Sequence, residues 1–196
     1  KLVTADGTVH LTYCLNIHPG ESWQENFAAI RDKAQQVRER LNWGEKPFGL
    51  GLRLSARAAD ELSDPATLAE FRDFLNRTEL YVFTINGFPY GTFHGARVKD
   101  GVYAPDWSTP ERVDYTIKLA RLLAVLLPPD VPGSISTVPG TYRLWEGGQG
   151  KYDAILGGLG KVAAVCAEIR RQTGREIRIA LEPEPDCVWD TADHMI

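Results

Sequence analysis

A chain of 196 residues, 43% hydrophobic and 24% charged, is long enough for one domain with a real core. Its net charge of -4 argues against nucleic acid and acidic membrane surfaces as partners. No apolar run approaches the ~20 residues of a membrane span, and Cys14, Cys166 and Cys187, without metal-type spacing, read as free thiols of a reducing, cytoplasmic compartment.

Leu11 to His18 alternates as a first strand, with Leu11, Tyr13, Leu15 and Ile17 on one face and Thr12, Cys14, Asn16 and His18 on the other. Pro19-Gly20 ends it. A helix is predicted over about 22–41, with Phe27, Ile30, Ala34, Val37 and Leu41 as its apolar face. The second strand is Phe48 to Leu54, with Gly49, Gly51 and Arg53 opposite three leucines. Asp64-Pro65 starts the second helix, whose stripe is Leu68, Phe71, Phe74 and Leu75.

Tyr81 to Phe88 reads as the third strand, with Tyr81, Phe83 and Ile85 on one face and Val82, Thr84 and Asn86 on the other. A long loop follows to about Ser108, carrying Tyr90, Phe93, His94, Tyr103 and Trp107. Loops of this length are often functional. Ser108-Thr109-Pro110-Glu111 opens a third helix to about Leu127. A short fourth strand, Gly133 to Val138, precedes a helix from Tyr152 to Thr173 that Gly174 stops. Ile177 to Leu181 is the fifth strand, and Glu182-Pro183-Glu184-Pro185 ends it. A fifth helix is expected from Thr191.

Alternating strands and helices imply a parallel sheet. One face of nearly every strand is large and apolar, and the other is small or polar, tipped by His18, Arg53, Asn86 or Glu182. A sheet covered by helices on both sides would be apolar on both. The expectation is therefore a partial (β/α)8 TIM barrel, with five of the units that close a barrel of about 250 residues. Residues 1–196 form one domain. The missing initial methionine and the helix start cut off at Ile196 suggest the first part of a longer fold. Five strands would leave two unpaired edges, which favours a homo-oligomer.

Ligands of parallel α/β proteins sit at the C-terminal ends of the strands. Glu182 reads there as a divalent-metal ligand or a general base, against an ion pair with Arg53 or Arg178. Glu184 is a second ligand, a proton shuttle or a solvated loop acid. Asn16, His18, Arg53 and Asn86 are candidate substrate-binding groups at the barrel mouth. Trp107 and His94, in the aromatic loop, suit a sugar, whose C–H faces stack while its hydroxyls need partners. Cys187 reads as a quiet thiol, and His10 and His194 carry no pattern. Phosphate-binding GxxxxGK[ST], GxGxxG and GxSxG motifs are absent.

The strand end Leu181-Glu182-Pro183-Glu184-Pro185 with Asp190-Thr191 resembles the fifth strand of xylose isomerase-like TIM barrels, a superfamily of sugar isomerases and epimerases. Thr84-Ile85-Asn86-Gly87-Phe88-Pro89-Tyr90 through His94, then Trp107-Ser108-Thr109-Pro110, resembles the third-strand loop of the same group. Within it the chain is similar to EboE-type metabolite-traffic proteins, through Tyr13-Cys14-Leu15-Asn16-Ile17-His18-Pro19-Gly20-Glu21, Asn86-Gly87-Phe88-Pro89-Tyr90-Gly91 and the Glu182 strand end. The resemblance implies a divalent metal ion (Mn, Mg, Zn or Co) on Glu182, with its remaining ligands on strands beyond Ile196. It implies a sugar or polyol-like metabolite as small-molecule substrate. His94, His18 and Glu184 would act on hydroxyls or protons during isomerisation or epimerisation. Glu184 stands where xylose isomerases carry a lysine, which argues against a true xylose isomerase. The alternative is a non-catalytic escort protein for an exported metabolite. A histidine-rich phosphodiesterase site of the endonuclease IV type has little support in four histidines.

Overall fold

A computed structural model describes residues 2–5, 7–44, 46–92 and 99–195. The chain opens with a hairpin, β1 (Leu2–Thr4) and β2 (Gly7–Val9), paired antiparallel. It lies before the first expected strand. β3 (Thr12–Cys14) is shorter than the alternation suggested, because Leu15–Ile17 winds into a 3-10 turn. The helix expected over 22–41 is α1 (Trp23–Ala29) and α2 (Gln35–Arg40) joined by a π turn over Ile30–Ala34. A capping box of Ser22 and Glu25 starts it. The π turn rotates the last residues off the apolar stripe, and Leu41, expected on it, is exposed.

β4 (Phe48–Arg53) is followed by α3 (Ala56–Leu62), a helix that the sequence pattern had not marked. Ser55 caps it by accepting the Ala58 N–H. α4 (Pro65–Thr78) begins as expected, with Asp64 as cap and proline in its first turn. β5 is Leu80–Asn86, α5 Pro110–Leu126, β6 Gly133–Thr137, α6 Tyr152–Thr173 and β7 Ile177–Leu181. Gly174 stops α6 at φ 72°, a backbone conformation that L side chains resist. After Thr191 the described residues hold a 3-10 turn, Ala192–Met195, in place of the expected α-helix. None of the described helices is long and apolar enough to cross a membrane.

Among the described residues, β3 to β7 form one five-stranded sheet in chain order, and every pairing is parallel. Leu50, Leu52, Val82, Ile85 and Ile135 are buried on one face and join the helices in a single core. Gly49, Gly51, Thr84, Ser134, Ser136 and Ala180 mark the other face by register. There the Thr84 and Ser134 hydroxyls share a hydrogen bond of 2.8 Å.

One expectation about β5 is corrected. Phe83 is an extra residue against the β4 ladder, because Leu50 pairs with Val82 and Gly51 with Thr84. A bulge inverts the alternation beyond it. Tyr81 and Phe83 therefore share the face of Gly49, while Val82 and Ile85 turn to the helices. Gly49 has no room for a side chain. A Cβ there would collide with the Leu11 carbonyl oxygen and meet the Phe83 ring at 2.9 Å.

Two adjacent glycines of α6 test this packing. A Cβ on Gly158 would meet the Trp107 carbonyl oxygen at 2.7 Å, while one on Gly157 meets nothing within 4 Å. Gly157→Ala is expected to stabilise the protein by roughly 0.5–1 kcal/mol in thermal or urea denaturation. Gly158→Ala is expected to destabilise it by about 1–3 kcal/mol.

Candidate functional site

The strand ends place a row of polar groups across the sheet. Arg53 pairs in register with Asn86, Asn86 with Ser136, and Ser136 with Ala180. The Glu182 N–H donates to the Thr137 carbonyl at 3.0 Å, so the ladder runs one residue past β7. Alternation then puts Glu182 on the face of Ala180, one step above this row.

Glu182 is half-buried, and its carboxylate makes no hydrogen bond or ion pair among the described residues. The two arginines that stood as its ion-pair partners are engaged elsewhere. Arg178 pairs with Glu176 at 2.7 Å, and Arg53 with Glu21 at 2.9 Å. A carboxylate beside polar and small residues, without a cation among the described residues, can accept a ligand hydroxyl, take a proton or bind a cation.

Arg53 is 1% exposed and works as a clamp. Its guanidinium donates to the Gly20 carbonyl at 2.7 Å, the Gly91 carbonyl at 2.9 Å and the Glu21 carboxylate. From the helix side Arg112, fully buried, donates to the carbonyls of Gly87 at 2.7 Å and Pro105 at 2.8 Å. Burial pulls the Arg112 guanidinium down to about 10, partly opposed by Tyr115, Tyr90 and Asp106, so it remains a cation at neutral pH. Its Nη2 has no hydrogen-bond partner among the described residues. The rings of Tyr115 and Tyr90, 5.5 and 5.9 Å from the guanidinium carbon, face the charge instead.

The other expected residues have mixed fates. The Asn86 side-chain oxygen accepts the Phe88 N–H at 3.0 Å and shapes the turn after β5. Trp107, expected at the substrate, is fully buried, and its indole N–H donates to the Val138 carbonyl at 3.0 Å. It is a packing residue between the end of β6 and α6. Asn16 and His18 do not continue the inner face of the first strand, because the 3-10 turn breaks the two-residue period. The His18 Nε2 shares a 2.8 Å hydrogen bond with the Tyr13 hydroxyl, and Tyr13 is in register with Leu50 on the helix side. The Asn16 side-chain oxygen is buried without a partner among the described residues. His94 lies outside the described residues.

Glu184 leads a turn in which Asp186 adopts φ 60° and the Cys187 N–H returns to the Glu184 carbonyl at 3.3 Å. Its carboxylate is near enough to Tyr103 and Cys187 to act on both electrostatically. Burial, then the neighbouring Cys187 and Glu184, pushes the Tyr103 hydroxyl up to about 12. Burial also pushes the Cys187 thiol up to about 11; Glu184 and Asp186 add to this, while the Tyr103 hydrogen bond opposes it. Beside them Tyr103 and Tyr142 stack at 5.4 Å, and Trp145 meets Tyr142 edge-on at 5.8 Å. The Trp145 indole donates to Asp100 at 2.8 Å. Most of this aromatic row comes from residues 139–151, which have no helical or strand period, so only the loop aromatics themselves could have signalled it.

The described residues do not by themselves fit a divalent metal. Glu182 is one oxygen donor, and no group of three or more His, Cys, Asp or Glu side chains among them is arranged to hold an ion. No family model, curated protein or solved structure matches the chain.

The thiols give a check on this region. Cys14 is exposed and Cys187 is buried and protonated. At pH 8, iodoacetamide is expected to modify native Cys14 and spare Cys187, as read by peptide mass mapping. A thiol held protonated in the folded state stabilises it fully below the ordinary thiol value of 9.0, and this contribution is lost as pH rises toward about 11. Protection of Cys187 should therefore fail in that window, with or without reagent at Cys14.

Proposed function

We propose that this chain is a five-unit sector of a (β/α)8 barrel of the xylose isomerase-like kind, related to EboE-type proteins. In this reading it binds a sugar or polyol-like metabolite at the C-terminal ends of its strands and isomerises or epimerises it. The observation that carries the reading is the Glu182 carboxylate, unengaged among the described residues, on the small-residue face of a sheet ordered as the chain runs. A doubly wound sheet reverses its strand order and covers both faces, whereas a barrel keeps sequential parallel order and encloses one face. The sequence resemblance at Glu182-Pro183-Glu184-Pro185 and Asn86-Gly87-Phe88-Pro89-Tyr90-Gly91 points the same way.

Glu182 would act as the base. It would take a proton from the carbon beside a carbonyl, leaving an enediolate, and return it on the same face to the neighbouring carbon while a proton passes between the two oxygens; inversion at the original carbon would take its proton from a second acid on the opposite face. A divalent cofactor belongs to this proposal, with Glu182 as the single donor among the described residues. A cytoplasmic location and self-association through the outer edges of β3 and β7 belong to the same proposal.

One observation favours a second reading, an escort protein that binds without turnover. Arg53, Asn86 and Trp107, which would orient a substrate, already hold the protein's own backbone.

The test is incorporation of solvent deuterium into a panel of ketoses and aldoses, followed by NMR with added manganese or magnesium. The proposal expects wash-in at the carbon beside the carbonyl, falling by about 100-fold or more in Glu182→Gln. Sugar binding without wash-in would move the reading to the escort protein. Neither binding nor wash-in would defeat both.

A further inference from the structure

The opposite end of the sheet from Glu182 carries a cavity of about 670 Å³. It opens among the N-terminal end of β5, the end of α4, and the loops before β4, β6 and β7. Small-molecule sites commonly measure 300–1,000 Å³. Leu75, Leu80, Val125, Val131, Pro128 and Pro129 supply apolar walls. The Tyr81 hydroxyl and His10 Nδ1 share a hydrogen bond of 3.0 Å, and both residues belong to the lining.

Charge distinguishes this cavity from the rest of the surface. The whole chain carries -4, yet the lining holds Lys46, Arg72 and Arg175 against a single acid, Glu79. Arg175 donates to the Leu127 carbonyl and is partly fixed by it. Lys46 and Arg72 are exposed, and neither side chain forms an ion pair or hydrogen bond among the described residues. Both belong to the lining of this largely apolar cavity.

We infer that this basal cavity binds an amphipathic anion, a single aliphatic chain ending in a carboxylate. The chain would lie along the leucine, valine and proline walls, where it leaves water. The carboxylate would remain at the mouth between Lys46 and Arg72, where it keeps part of its hydration and needs no buried counter-ion. A neutral chain would forgo the charge contacts, and a cationic one would be repelled by them. This site is independent of Glu182 and of any activity at the rim.

The test is calorimetric titration of the 196-residue protein with decanoate, with acetate and decyltrimethylammonium as controls. Decanoate is expected to bind at one per chain, and neither control should. In the Lys46→Gln, Arg72→Gln double variant its affinity should fall by roughly tenfold or more, and raised salt should weaken wild-type binding. Both substitutions are on exposed side chains, so an unchanged melting temperature will show that the fold persists. Val131→Trp, which fills the cavity, should abolish decanoate binding. Absence of decanoate binding, equal binding of the cationic amphiphile, or affinity indifferent to the double variant would each overturn the inference.

Discussion

The turn after β5 is the constraint on which the functional end depends. Three of its carbonyls are held by different parts of the protein. Arg112 holds Gly87, the Ala56 N–H holds Tyr90, and Arg53 holds Gly91, while the Tyr115 hydroxyl donates to the Leu54 carbonyl and lies 3.4 Å from that of Pro89. Arg53 also reaches Gly20 and Glu21, so one side chain ties the loop after β3 to the loop after β5. Both guanidiniums are buried, and a buried charge is costly to remove from water. Several short acceptors and two facing tyrosine rings offset that cost. Removing one partner of such a set costs about 3–5 kcal/mol, more than most single core contacts between apolar side chains.

The sheet explains why these groups gather at one end. Its helix face is filled with aliphatic residues, and its other face is kept low by Gly49, Gly51, Ser134 and Ala180. The bulge at Phe83 places two aromatic rings near the bottom of that low face, against Gly49, and returns Thr84 and Asn86 to the polar side above. The lower half is thus aromatic and the upper half is hydroxyl, amide and carboxylate. Such a gradient suits a polar ligand above Ser136 and leaves the apolar basal cavity to a different kind of molecule.

Much of this architecture was legible in the residues. α6 runs from Tyr152 to Thr173 as read, because its apolar period is long and Gly174 ends it. β4 and β7 were legible for the same reason, with strict alternation and proline or glycine at their boundaries. Short elements were harder. α3 is barely two turns, and its capping serine looks like any loop serine. The bulge in β5 could not be read, since an extra residue alters no local preference and only the β4 ladder reveals it. At the site, Glu182 was visible from alternation followed by proline. The role of Arg53 was not, because its partners, two loop carbonyls and the Glu21 carboxylate, are 32 or more residues away. The first strand misled for a related reason: Asn16 and His18 kept the pattern of a strand in a segment that turns.

The two ends of the sheet then have different physics. The upper end is fixed by charge buried against backbone, and the lower by apolar walls with cations in the lining. The most direct measurement of this account is amide hydrogen exchange in Arg53→Met and Arg112→Met. If the arginines hold the rim, exchange at Gly87 and Phe88, whose N–H groups bond to Ser136 and Asn86, will quicken. Amides of α6 and of the β6–β7 ladder will keep their wild-type protection. Unchanged exchange at Gly87 and Phe88, or an equal loss of protection throughout the chain, would contradict the claim that these two side chains organise the rim.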